Sequence, residues 1–215
     1  MYNQLFKWIE FLILFILIPI LVALSLIPAP PIVTLFCVLL YTLWIYRHSF
    51  KKVRWSDSHR RLRILAEERW FAWRFLLSIL LLSTLTWYLY PEKLFSFIIN
   101  KPHIYLLIAF FYPLFSVLPQ EFLYRTFFFD RYKSLFKSER YLMWSSVVLF
   151  AFLHLIYMNL IAVVLSFAGG YLFAHTFRRT KSLLPVVIEH YLYGMLIFTI
   201  GLVDFFYINL ARLNG

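Results

Sequence analysis

Glu121 and Arg125 stand one helical turn apart in Pro119-Gln-Glu-Phe-Leu-Tyr-Arg125, within an apolar run that begins at His103. At a spacing of four the two side chains share a helix face and can neutralise each other. A charge in the middle of a bilayer-spanning helix costs about 3 kcal/mol on insertion scales. Such groups therefore face a protein interior or a wet cavity and mark a candidate functional site. The bland alternative is a self-neutralised pair that anchors a helix at the membrane surface. Further along, His154 closes Phe150-Ala-Phe-Leu-His154, and Glu189 and His190 stand in Ile188-Glu-His-Tyr-Leu-Tyr-Gly194. A single histidine on an apolar helix is most often a hydrogen-bonded core residue. Two histidines, two glutamates and an arginine on three of the last four apolar stretches supply bases, acids and metal ligands able to converge in one bundle interior.

A carboxylate in low dielectric is a stronger base than in water, and a neutral imidazole can orient water or donate to a developing oxyanion. The set suits hydrolysis by water inside a membrane. The residues demand no cofactor; zinc is the one candidate, since two histidines and a glutamate could bind it. The chain has no His-Glu-x-x-His helix, no Gly-x-Ser-x-Gly elbow and no compelling paired aspartates, so the common zinc, serine and aspartyl protease layouts find no support. A proton or ion pathway through the same groups is a further reading, and the lack of a discontinuous inverted repeat speaks against it.

These groups need spans to carry them. The 215 residues are 63% apolar and 22% aromatic, with mean hydropathy +0.78, which excludes a soluble domain of this length and indicates a multi-pass membrane protein. Apolar stretches at 8–28, 32–46, 75–90, 103–129, 141–158, 160–177 and 183–202 predict an all-α, polytopic membrane helix bundle of about seven transmembrane helices. The first reads as a span rather than a leader because its apolar run exceeds a usual signal core. The segment 47–74 reads as a basic helix lying on the membrane and leading into the third span. Pro113 and Pro119 should kink the fourth span just before Gln120. Gly169 and Gly170 would allow close helix contact in the sixth. Residues 1–90 form an amino-terminal part and 91–215 a catalytic core, within one integral membrane domain.

The formal charge of +11 would suggest nucleic acid in a soluble protein. Here 17 of the 21 Lys and Arg residues fall at Lys7, 47–74, 130–140 and 178–181, on one side if the spans alternate. Positive-inside orientation puts that side and the N-terminus in the cytoplasm of a plasma (inner) membrane, with lipids as partners and no nucleic acid. Counting 1.5 Å per residue from the cytoplasmic ends places His190 about 10 Å deep, Glu121 about 12 Å and His154 about 20 Å. The lone Cys37 provides no disulfide.

The chain resembles the CPBP (Abi) intramembrane proteases, the group containing the type II CAAX prenyl endopeptidase. Their motifs are Glu-Glu-x-x-x-Arg, Phe-x-x-x-His and His-x-x-x-Asn on successive helices. Gln120-Glu121-Phe-Leu-Tyr-Arg125 is similar to the first, Phe150 to His154 to the second, and His190 to Gly194 to the third, over about residues 105–202. The resemblance implies a helical membrane bundle with a cavity open towards the cytoplasmic side, cleaving a peptide or protein substrate, lipid-modified in some members, by glutamate-activated water assisted by the histidines. Gln120 replaces the first glutamate, the family's presumed base, and Gly194 replaces the asparagine thought to support the oxyanion. On this pattern Glu121 is the base, with Gln120 orienting water, His154 and His190 around the water and oxyanion, Arg125 fixing the carboxylate and Phe150, Glu189 and Gly194 supporting. Glu189 is the alternative base. A non-catalytic immunity or scaffold protein that keeps the fold is the competing expectation.

Overall fold

The structure is a computed structural model and describes residues 2–49 and 69–207. Among these residues every regular element is helical and there is no strand. Helix α1 (Tyr2–Leu12) continues through a π turn, Ile13–Leu17, into α2 (Ile18–Ala23), and α3 spans Pro31–Ser49. After the undescribed residues come α4 (Arg69–Leu89), the short α5 (Ser96–Asn100) and α6 (Pro102–Tyr112). A π turn, Pro113–Val117, joins α6 to α7 (Leu118–Glu121), and a second, Phe122–Phe127, joins α7 to α8 (Phe128–Tyr132). Then follow α9 (Glu139–Leu153), a 3-10 turn His154–Tyr157, α10 (Leu160–Thr180) and α11 (Leu183–Thr199).

Five of these helical stretches are long and apolar enough to cross a membrane: Gln4–Ala23, Trp70–Leu89, Pro102–Leu135, Glu139–Tyr157 and Leu160–Thr180. Pro31–Arg47 and Leu183–Thr199 are shorter apolar helices. Large apolar side chains such as Leu77, Trp73, Trp87 and Leu160 point outwards and exposed, as a surface solvated by hydrocarbon requires. The chain is an all-α, polytopic membrane protein. The expected basic interfacial helix falls largely on residues 50–68, outside the described residues.

Boundaries differ from the sequence reading where local chemistry intervenes. The first helix stops at Ala23 rather than running to Pro28, because Ser25 takes a left-handed φ of 57°. The segment between Pro91 and Pro102, expected as a loop, carries a 3-10 turn and α5. The fourth helix runs on to Leu135, so Asp130 and Arg131 are helical, not loop residues. The disturbance expected from Pro113 and Pro119 takes the form of the two π turns around α7, a winding often found near functional sites. Ser138 caps α9, accepting from the Tyr141 N–H, and Glu139 in the first turn suits the helix dipole.

The described chain forms two compact units. The first gathers residues 2–49 and 119–175. Its apolar centre is aromatic, with Phe11, Phe15, Phe128 and Tyr132 in mutual edge-on or tilted contact. Glu10 of α1 is buried and accepts from Arg131 Nε at 2.9 Å and Nη2 at 2.7 Å, while the Tyr41 hydroxyl of α3 donates to its other oxygen. Tyr46 donates to Asp130 at 3.2 Å. Two ionisable groups of the fourth helix thus bind α1 and α3.

The second unit gathers residues 69–118 and 176–207. Three polar contacts join α6 to α11: Tyr105 with Thr199 at 2.8 Å, Tyr191 donating to the Ala109 carbonyl at 3.1 Å, and Tyr112 with His190. Gly201 ends the α11 segment at φ +87°, and a Cβ there would overlap the Lys93 carbonyl oxygen. Left-handed backbone costs an L-residue about 1–2 kcal/mol before any clash. Gly201→Ala is therefore expected to destabilise the protein by at least ~1 kcal/mol, read as an earlier unfolding midpoint in detergent micelles; an unchanged midpoint would mean that this turn does not hold α11 in place.

Candidate active site

The first unit supplies Gln120, Glu121, Arg125, Phe150 and His154. Glu121 and Arg125 have no exposed surface, and Gln120 is 8% exposed. Arg125 Nε lies 3.2 Å from Glu121 Oε2, an ion pair along the π-wound turn that follows α7. The rest of the guanidinium is held from three sides. Nη1 donates to Ser146 Oγ of α9 and to its neighbour's carbonyl, Tyr124 O at 3.3 Å, and Nη2 donates to the Gly170 carbonyl of α10 at 3.2 Å. The Ser146 hydroxyl in turn donates to Tyr124 O at 2.7 Å. The guanidinium carbon sits 5.1 Å from the centre of the Phe150 ring, a cation–π contact in a desolvated site.

His154 owes its orientation to the end of α9. Its backbone N–H donates to the Ala151 and Phe152 carbonyls as the helix tightens into the 3-10 turn, and the imidazole Nδ1 lies 2.7 Å from the Phe150 carbonyl. A carbonyl can only accept, so Nδ1 carries the proton and Nε2 keeps its lone pair in the neutral ring. The Phe-x-x-x-His spacing thus does two things: the Phe150 ring covers Arg125 and the Phe150 carbonyl fixes the His154 tautomer. Met158 then turns left-handed at φ 54°, and Asn159 caps α10 by accepting from the Ala162 N–H at 2.8 Å.

The second unit supplies Glu189, His190 and Gly194, all on α11 and all buried. Glu189 Oε1 accepts from Arg74 Nη2 at 2.6 Å, and the same nitrogen donates to Thr176 Oγ1 at 3.0 Å. Arg74 also lies over the Phe71 ring at 5.3 Å. The sequence reading counted Arg74 with the basic interfacial segment 47–74. It belongs to α4 and is 8% exposed, drawn inwards by the carboxylate on α11. His190 Nε2 lies 3.2 Å from the Tyr112 hydroxyl.

Arg74, Tyr112, Ser146 and Thr176 were missed from sequence. Arg74 left a signal, since it is the cation nearest the apolar run of α4; Tyr112, Ser146 and Thr176 left none among so many hydroxyl-bearing residues. Among the described residues no three His, Cys, Asp or Glu side chains gather as metal ligands. The residues do not fit a three-ligand zinc centre, and no step is assigned to a metal.

Residues 102–196 match the family model described as Type II CAAX prenyl endopeptidase Rce1-like. That span holds every candidate site residue predicted from sequence. No curated protein and no solved structure matches the chain.

Removing one partner of a buried ion pair strands the other, at about 3–5 kcal/mol, whereas replacing both by apolar side chains of similar volume is often neutral. Arg125→Met should accordingly lower stability in detergent by about 3–5 kcal/mol, and Glu121→Leu with Arg125→Met should recover most of that loss. Additive losses in the double variant would show that the two side chains do not act as a pair.

Proposed function

We propose, from the match of residues 102–196 to the model described as Type II CAAX prenyl endopeptidase Rce1-like, a protease family, that the chain is an intramembrane endopeptidase whose base is Glu121. The observation that carries this reading is the fully buried Glu121 carboxylate held at 3.2 Å by Arg125 within the matched segment. With Oε2 oriented by the guanidinium, the Glu121 carboxylate is assigned to the water that attacks the scissile carbonyl. The fixed guanidinium spares reorganisation during the reaction. Gln120 is assigned to orienting that water through its amide, which can donate and accept but cannot take the proton. The proton that Glu121 takes from the water passes on to the leaving amine as the peptide bond breaks, while His154, with its lone pair at Nε2, accepts a hydrogen bond from the same water. His190 is assigned to the oxyanion from the motif that its segment resembles, not from a distance to Glu121.

The substrate is a peptide or protein chain that reaches the site from the membrane, and a prenyl or other lipid modification would concentrate it there. The distribution of Lys and Arg supports a cytoplasmic N-terminus and a site towards the cytoplasmic side of the plasma (inner) membrane. A green fluorescent reporter fused before Met1, of a kind that folds only in the cytoplasm, is expected to fluoresce; a dark, fully expressed fusion would reverse the orientation.

One specific observation favours a second reading, a non-catalytic immunity or scaffold protein on the same fold. Both carboxylates in the matched segment's candidate set, Glu121 and Glu189, are engaged by arginines, and an amide stands at position 120. Cleavage of a farnesylated CAAX-type reporter peptide by the purified protein separates the two. On the endopeptidase reading Glu121→Gln, His154→Ala and His190→Ala each cut turnover by about 100-fold or more with insertion unchanged, and Gln120→Glu raises it by about tenfold. If Glu189→Gln abolishes cleavage while Glu121→Gln retains it, the base is Glu189. A scaffold would cleave nothing, before or after Gln120→Glu.

A further inference from the structure

On α11, His190, Gly194 and Phe198 recur at intervals of four and form one stripe along the helix. Tyr112, the last residue of α6, lies along that stripe. Its ring meets Phe198 edge-on at 5.1 Å between centroids and its hydroxyl reaches His190 Nε2 at 3.2 Å. Gly194 lies between them in sequence, and a Cβ at that position would fall on the Tyr112 hydroxyl and the ring carbons beside it. The missing side chain at 194 is therefore the space that the phenol head occupies. Neighbouring contacts keep the ring there: Tyr191 donates to the Ala109 carbonyl three residues upstream, Tyr105 pairs with Thr199, and the planes of Tyr112 and His190 stand 84° apart.

We infer that Tyr112 is the positioning residue of His190, seated by Gly194, and that its hydroxyl donates to Nε2 and so keeps the imidazole proton on Nδ1. An ordinary phenol is protonated far above neutrality and donates readily to an unprotonated imidazole nitrogen. The proton that remains, on Nδ1, gives His190 one defined donor for a negative charge developing on substrate oxygen. In the motif that the third segment resembles, an asparagine amide occupies position 194; here the glycine admits a hydroxyl from another helix instead. Tyr112 thus does for His190 what the Phe150 carbonyl does for His154, though the bond comes from a different helix. Its part in turnover rests on the endopeptidase reading; its hold on the imidazole does not.

The test uses the full-length protein in detergent micelles with 15N-labelled histidine, the His190 signals being assigned by their loss in His190→Asn. The expected wild-type spectrum shows His190 protonated at Nδ1, and Tyr112→Phe, which keeps the ring and removes only the hydroxyl, shifts it to a mixture of tautomers. With the farnesylated CAAX-type peptide, Tyr112→Phe is expected to lower kcat by about tenfold, the scale of one lost hydrogen bond, with KM within about twofold. Gly194→Ala, which displaces the hydroxyl while Tyr112 remains, should give the same tautomer mixture, and the double variant should be no worse than either single one. Identical His190 nitrogen shifts in wild type and Tyr112→Phe would overturn the inference, whatever the activity. Shifts that change while the wild type cleaves no peptide would leave the inference standing and sink the endopeptidase reading. Changed shifts with an unaltered kcat would remove Tyr112 from the reaction.

Discussion

A guanidinium with no exposed surface sets the arrangement of the unit around residues 119–175. Arg125 has donors to place in a medium that offers no water, and an unsatisfied charge there would be prohibitive. Its partners come from three pieces of chain: a carboxylate one turn back, a serine and the Phe150 ring on α9, and a backbone carbonyl on α10. Moving any of these helices would break a bond to the charge. The pair with Glu121 is thus less an addition to the packing than the condition under which those helices pack.

The other unit answers the same problem with different residues. Arg74 and Glu189 come from α4 and α11 and share Thr176 from the end of α10. Beside each pair stands a histidine whose ring is directed by a hydrogen bond: His154 by a carbonyl, His190 by a phenol. Both units thus hold a carboxylate, a guanidinium and an oriented imidazole, their charges and hydrogen bonds fixed in the absence of bulk water.

Much of this was legible in the sequence because hydrocarbon is an unforgiving solvent. Apolar runs of the required length can only be helices, so the spans carrying Glu121, His154 and His190 could be read directly, and the i, i+4 spacing of Glu121 and Arg125 foretold their contact. Helix ends were harder, since they turn on single backbone angles such as that of Ser25. The π turns either side of α7 could not be read at all, because a change of winding follows from packing against neighbours rather than from periodicity. Arg74 was misplaced for a related reason. It closes a segment rich in cations, with Arg69 five residues back, and only the position of Glu189 on another helix explains why it turns inwards. Gly194 read as a lost side chain; the ring that fills its place lies far away in sequence.

The two imidazoles also differ in when their protons can be settled during biogenesis. His154 is directed by a carbonyl four residues back on its own helix, so its ring is arranged as soon as that helix end forms. His190 waits for a phenol 78 positions upstream, on a helix that enters the bilayer well before α11 is synthesised. A chain still emerging from the ribosome would hold one histidine already set and the other undetermined, and the arrival of α11 would complete the pair.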